Sequence, residues 1–301
     1  MQILVVGASG FIGSALVSRL NAAGHQVLRL TRSTSQLGPD QISWNPQAGI
    51  APLLPDSTID AVVHLAGENI GSGRWSREKK KRIRESRVNG IRLLIQALAR
   101  LRQPPRALVM ASAVGYYGNR DDEILTETSP PGRGFLAEVC RDMESEAGTA
   151  ARHGTRTVIL RFGVVLSARA GALPLMMRPF RMGLGGVLGS GRQFMSWIVL
   201  EDALGVIEKC LNSEGVSGPV IAASPSPVRN REFAKTLGRA LKRPAWAPAP
   251  SFALRLVLGE MADEMLLSSQ RAEPAVLKSL GYVFSFPELE GALRNLLLSG
   301  D

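Results

Sequence analysis

Three glycines stand three residues apart in Gly7-Ala8-Ser9-Gly10-Phe11-Ile12-Gly13, directly after the apolar run Ile3-Leu4-Val5-Val6. A strand that turns through such a loop into a helix makes a seat for a pyrophosphate. The first glycine permits the turn, the second lets backbone approach the phosphates, and the third lets helix and strand pack closely. The helix N-terminus adds free N–H groups and the positive end of its dipole. Gly7, Ser9, Gly10, Phe11, Ile12 and Gly13 are therefore the first candidate binding residues for a dinucleotide.

The next apolar run ends Arg29-Leu30-Thr31-Arg32-Ser33, and the first acidic residue of the chain is Asp40. A site for NAD usually has Asp or Glu at that strand end, on the ribose 2′-hydroxyl. A carboxylate would repel a 2′-phosphate, whereas a guanidinium pairs with it. Arg32, with Thr31 or Ser33 as hydroxyl donors, points to NADP(H). His64-Leu65-Ala66-Gly67-Glu68-Asn69 closes a third strand with small residues that let backbone run beside the adenosine. Packed core histidine is the expected role of His64.

The elements that must position these residues alternate along the chain. Strands are expected at 2–6, 26–30, 61–65, 107–111 and 157–162, with helices at 11–23, 75–101 and 134–153. That alternation predicts an α/β fold, a Rossmann-type doubly wound parallel sheet covered on both faces. Residues 1–165 read as the NADP(H)-binding domain. Residues 166–301 read as a smaller, mainly helical substrate-side portion, interleaved with the main sheet around 192–225. Glycines crowd 183–191, which suggests a mobile loop over the cleft. Prolines crowd 244–250, ahead of helices near 252–267 and 287–298.

Composition narrows the class. Of 301 residues, 45% are hydrophobic and 21% charged, which argues against disorder. No apolar run is long enough to span a membrane, and the N-terminus lacks the pattern of a signal peptide. Two cysteines, Cys140 and Cys210, have no paired spacing. A disulfide framework or metal site is not expected, and a cytoplasmic location is. The net charge of +10 admits nucleic acid as a ligand class. The densest run, Arg77-Glu78-Lys79-Lys80-Lys81-Arg82, lies on an amphipathic helix and reads as a solvated face, with its charges outward. No nucleic-acid motif accompanies it. The expected partner is a small-molecule substrate, and monomer and homodimer both remain open.

The Gly7 loop, His64-Leu65-Ala66-Gly67 and Ser112-Ala113-Val114-Gly115-Tyr116-Tyr117-Gly118, in that order, resemble the extended short-chain dehydrogenase/reductase superfamily, NAD-dependent epimerase/dehydratase type. Further segments resemble an epimerase-like subfamily with a small C-terminal domain. They are Ala66–Ile70, Trp75, Ser86-Arg87, Phe135–Cys140, Arg161–Leu166, Gly189–Gln193, Ser196–Ile198 and Gly281–Phe284. The resemblance implies that Ser9–Ile12 hold the pyrophosphate and Thr31-Arg32 the 2′-phosphate. Leu65, Ala66, Gly67 and Glu68 would lie along the adenosine, with Arg87 facing the cofactor. Ala111, Ser112, Phe162, Gly163 and Val164 would flank the nicotinamide.

The superfamily's acid–base chemistry rests on a serine, a tyrosine and a lysine four residues after that tyrosine. Ser112 matches the serine, but Phe135 and Val139 occupy the other two positions. None of the three tyrosines has lysine four residues later: those positions hold Arg120, Asp121 and Phe286. Three readings follow. Glu138, Cys140 or Tyr116 replaces the tyrosine; or the protein is an oxidoreductase whose hydride transfer needs little help; or it is a non-catalytic NADPH-binding regulator or redox sensor. The substrate cleft is expected between Ser112, Tyr116, Phe135 and the Gly183–Gly191 loop, with Arg192 and Trp197 nearby.

Overall fold

The computed structural model describes residues 1–32, 36–46 and 53–298. Seven parallel strands form the central sheet: β1 (Gln2–Val6), β2 (Gln26–Thr31), β3 (Gln41–Ser43), β4 (Ala61–His64), β5 (Ala107–Ala113), β6 (Arg156–Phe162) and β7 (Gly218–Ala222). Their order across the sheet is β7-β6-β5-β4-β1-β2-β3. The order reverses between β1 and β4, and a crevice at such a switch point is where doubly wound sheets bind ligands. The fold class is the expected one.

Side chains on β1 alternate between two cores, as the period of a strand requires. Ile3 and Val5 join Leu16 and Leu20 of α1 (Phe11–Ala22) on one face. Leu4 and Val6 join the other face, with Ile91, Leu94 and Ile95 of α2 (Arg77–Leu98) and Met143 and Ala147 of α3 (Phe135–Gly148). A third core gathers Leu173, Met177 and Phe180 of α4 (Ala172–Arg181) with Trp197 and with Phe233 and Leu237 of a later helix, Asn230–Ala240. Helix α5 (Leu200–Asn212) packs Ala203, Leu204 and Ile207 into the first core.

Beyond β6 the chain makes short ladders. Val164–Leu166 pairs with Trp197–Val199, Phe194–Met195 with Val228–Arg229, and Ile124–Leu125 with Arg271–Ala272. Between Trp197–Val199 and Val228–Arg229 in sequence, β7 returns to the main sheet beside β6. No helix among the described residues is long and apolar enough to cross a membrane.

Helix ends differ from the expected bounds for local reasons. Ser76 Oγ accepts the Lys79 N–H at 3.2 Å, so α2 starts behind that cap rather than at 75. Helix α3 stops at Gly148, and a 3₁₀ turn over Thr149–His153 completes the span to left-handed Gly154. The helix expected over 252–267 is cut at Gly259, whose φ of +64° ends Ser251–Leu258. A wider turn follows over Ala262–Leu266.

Candidate functional site

The Gly7–Gly10 turn joins β1 to α1, and Gly13 lies in the first turn of that helix. Gly7 has φ +87°, and a Cβ there would sit 2.7 Å from the Ala66 nitrogen. A Cβ on Gly13 would penetrate the Gly7 carbonyl oxygen and stand 2.9 Å from its carbon. Both contacts are with backbone, so neither can relax by moving a side chain. Gly10 precedes α1 without a side-chain cap, and the first turn has no acidic residue. The N–H groups of Phe11, Ile12 and Gly13 find no acceptor among the described residues. Free donors, a positive helix end and the lack of a Cβ at positions 7, 10 and 13 suit a pyrophosphate. The Phe11 ring packs where a Cβ on Gly171 would stand, so the loop is closed from the α4 side.

At the neighbouring strand end, Thr31 is the last residue of β2 and Arg32 is exposed just beyond it. Asp40 does not fill the acidic position of an NAD site. Its carboxylate is paired with Arg29 at 2.6 Å. Ser33 lies outside the described residues.

The Leu65–Glu68 turn is gripped from one face of α2. Ser86 Oγ accepts the Glu68 N–H at 3.0 Å, and Arg87 donates to the Glu68 carbonyl at 3.0 Å. A Cβ on Gly67 would lie 3.0 Å from the Arg87 guanidinium carbon. Lys79 reaches Glu68 Oε1 at 2.7 Å and is only 6% exposed. The basic run is therefore not wholly a solvated face: Lys79 turns inward because Glu68 and Ser72 satisfy its ammonium. His64, 2% exposed, is held down to about 4 by burial and by the charge of Arg87, so it is a neutral core residue.

At the other end of the crevice, Ala111, Ser112 and Ala113 alternate at the tip of β5. Ser112 faces inward. Its hydroxyl donates to Glu144 Oε1 at 2.6 Å, and Glu144 in turn takes Arg161 Nε and a terminal nitrogen at 3.1 and 2.8 Å. Arg161 also reaches the Tyr117 hydroxyl at 2.9 Å and the Glu127 carbonyl at 3.1 Å. Its guanidinium carbon stands 3.5 Å from the centre of the Tyr116 ring. Burial opposes the charge on Arg161, but the Glu144 carboxylate outweighs it and raises the guanidinium above its ordinary value. Burial pushes Tyr117 up to about 12, and its hydroxyl donates to the Thr126 carbonyl at 2.9 Å. Tyr116, half-buried, makes no hydrogen bond through its hydroxyl among the described residues. Phe162 ends β6. Gly163 beyond it donates to the Ala222 carbonyl, and Val164 donates to that of Ser196 at 2.8 Å. A Cβ on Gly163 would stand 2.7 Å from the Ser196 oxygen, which leaves no room for a side chain.

Helix α3 presents Phe135 at its start. The ring meets Trp75 edge-on at 5.4 Å between centroids, and Lys80 Nζ lies 4.6 Å above it. Lys80 is tied to Glu260 at 2.8 Å. Glu264, 129 residues along the chain, accepts the N–H groups of Phe135 and Leu136 at 3.0 and 3.1 Å. A carboxylate from the C-terminal portion thus caps the helix that would carry the acid–base pair. Glu138 is exposed on this helix. Val139 and Cys140 are buried, and burial pushes the Cys140 thiol up to about 11. Reasoning from sequence missed Glu144, Glu264 and the inward Lys79. A lone arginine in the apolar run Thr157–Phe162 was the available signal for a buried counter-ion.

Trp197 is fully buried in the third core, and its ring N–H donates to the Ser226 carbonyl. One expectation for the cleft is corrected. The Gly183–Gly191 loop is anchored. Ala247 donates to Gly185, Ala249 to Val187, and Gly189 to Ala249. A Cβ on Gly186 would collide with the Ala247 backbone, so glycine there permits close packing rather than a swinging lid.

The family described as NAD dependent epimerase/dehydratase matches residues 3–222, and a domain of unknown function (DUF1731) matches residues 249–296. The epimerase family protein ML0860 of Mycobacterium leprae is 41% identical over 97% of this chain and 94% of its own. The human epimerase family protein SDR39U1 is 40% identical over 99% and 100%. A crystal structure of its isoform 2 with NADPH superposes with a TM-score of 0.89 at 38% identity, covering 99% of each chain. A UDP-N-acetylglucosamine 4-epimerase from Bacillus cereus, at 19% identity and a TM-score of 0.75 over 99% of each chain, shares the fold.

Proposed function

The chain belongs to the NAD-dependent epimerase/dehydratase family, and from that premise we propose that it is an NADP(H)-dependent, epimerase-like oxidoreductase acting on a small molecule. The observation that carries the reading is the glycine cradle at the β1–α1 turn, with its unused N–H groups, beside a β2 end that bears Arg32 in place of an acid. Ser9–Ile12 would take the pyrophosphate. Thr31 and Arg32 would take the 2′-phosphate, and Leu65–Glu68 the adenosine. Ala111 and Phe162–Val164 would flank the nicotinamide. The human relative crystallised with NADPH supports the same choice of cofactor.

When bound, the nicotinamide supplies a hydride donor or acceptor. The chain's own residues position the substrate and exclude water. Their proton chemistry departs from the usual pattern. Phe135 and Val139 cannot donate a proton, and the Ser112 proton is directed at Glu144. Tyr117 and Cys140 are buried and hold their protons tightly. Of the candidate proton donors on β5, the turn after it and α3, Tyr116 and the exposed Glu138 keep groups free to face a substrate.

A second reading, an NADPH-binding regulator without turnover, is favoured by one observation. The Phe135 ring, where the acid would stand, is covered by Trp75 and Lys80. The test is transfer of deuterium from NADPH deuterated at C4 to a panel of aldehydes, ketones and nucleotide sugars. Label in a product, lowered by Tyr116→Phe, supports the enzyme. Saturable NADPH binding with no label in any product supports the regulator.

A further inference from the structure

The grip of α2 on the Glu68 turn has an electrostatic side that concerns cofactor choice, and the inference rests on the NADP(H) reading above. Lysine is almost never buried without a partner, and Lys79 is buried in a run whose neighbours Lys81 and Arg82 are exposed. Its ammonium spans Glu68 Oε1 at 2.7 Å and Ser72 Oγ at 2.9 Å. Arg82 Nε stands 3.8 Å from the same carboxylate oxygen. Glu68 is also within the field of Arg32: Lys79 first, then Arg82 and Arg32, draw its carboxyl below the usual range.

The Glu68 carboxylate makes no ion pair with Arg32, because Lys79 takes it at 2.7 Å with Arg82 3.8 Å away. A bare carboxylate at the adenosine end is the device that selects a free 2′-hydroxyl and repels phosphate. We infer that Lys79 is a specificity-determining positioning residue: it holds and neutralises Glu68, leaving Arg32 available to the dianionic 2′-phosphate of NADP(H). Lys79 acts through Glu68 and need not touch the nucleotide. Its burial makes the effect less sensitive to salt than that of an exposed lysine.

The experiment is a fluorescence titration of NADPH and NADH against the full chain and four variants: Lys79→Gln, Lys79→Arg, Glu68→Gln and the double variant Lys79→Gln/Glu68→Gln. Melting curves check that each is folded. The expected result is a fall of about tenfold in the NADPH-to-NADH affinity ratio for Lys79→Gln, the scale of one displaced charge near a phosphate. Lys79→Arg keeps the ratio. Removing Glu68 as well restores it to within about threefold of wild type, because the charge that needed neutralising is gone. A merely structural lysine would weaken both nucleotides alike and leave the ratio unmoved, which overturns the inference. Failure of the double variant to restore the ratio also overturns it. A wild-type protein that prefers neither nucleotide overturns the NADP(H) reading itself, and the inference with it.

Discussion

Replacing Glu144 by Leu tests whether the polar cluster behind β5 is as dry as its geometry states. Glu144 and Arg161 are 8% and 4% exposed at their side chains and 2.8 Å apart. The substitution removes four hydrogen bonds: three from the guanidinium and one from the Ser112 hydroxyl. The guanidinium keeps its hydrogen bonds to Tyr117 and the Glu127 carbonyl and its place over the Tyr116 ring, and its charge is left without a counter-ion. Breaking a buried pair from one side costs about 3–5 kcal/mol. With an unfolding entropy of about 2.1 cal/mol/K per residue, the 301-residue chain should melt about 5–8 °C lower. Circular dichroism on heating reads the shift. The double variant Glu144→Leu/Arg161→Met removes both charges and should recover more than half of the loss. A single variant that melts within 1 °C of wild type would mean that water reaches the pair, and the argument that Ser112 faces a sealed interior would fall with it.

Two further outcomes follow from the site. His64 is held at about 4 in the folded protein against an ordinary 6.5. The unfolded chain therefore takes up a proton below pH 6.5 that the folded chain refuses. The stability this residue contributes is complete above that pH and is lost as pH falls towards 4, by about 3 kcal/mol from about 2.5 pKa units. In urea titrations at pH 7 and 4, His64→Gln should show a loss on acidification smaller by that amount, and an equal loss would show that His64 is solvated. Gly13→Ala drives a Cβ into the Gly7 carbonyl and should cost about 1–3 kcal/mol, with at least tenfold weaker NADPH binding. Gly90→Ala, on α2 with nothing near its Cβ, should melt no lower than wild type.

What the sequence displayed were features set by local chemistry. The glycine spacing, the absent acid after β2 and the alternation of apolar runs each act over a few residues, so the sheet and its cradle were legible. Positions 135 and 139 were legible in the same way, because a side chain's identity needs no structure. What was hidden depends on partners distant in the chain. Lys79 reads as one charge among six until Glu68 is placed beneath it, and Ser112 reads as a cleft residue until Glu144 turns up behind β5. The Glu264 cap on α3 joins residues 129 positions apart. Glycine density at 183–191 has two physical causes, mobility and close approach, and only the backbone at 245–249 distinguishes them.

The central claim is that the Gly7–Gly13 cradle and Arg32 together hold NADP(H). The most direct measurement is the affinity of the purified protein for NADPH and NADH, with Arg32→Ala alongside. The account predicts NADPH at least about tenfold tighter, a difference of about 1.4 kcal/mol, with the preference abolished in Arg32→Ala while NADH binding persists. Equal affinity for the two nucleotides, or a preference that survives the loss of Arg32, would contradict it.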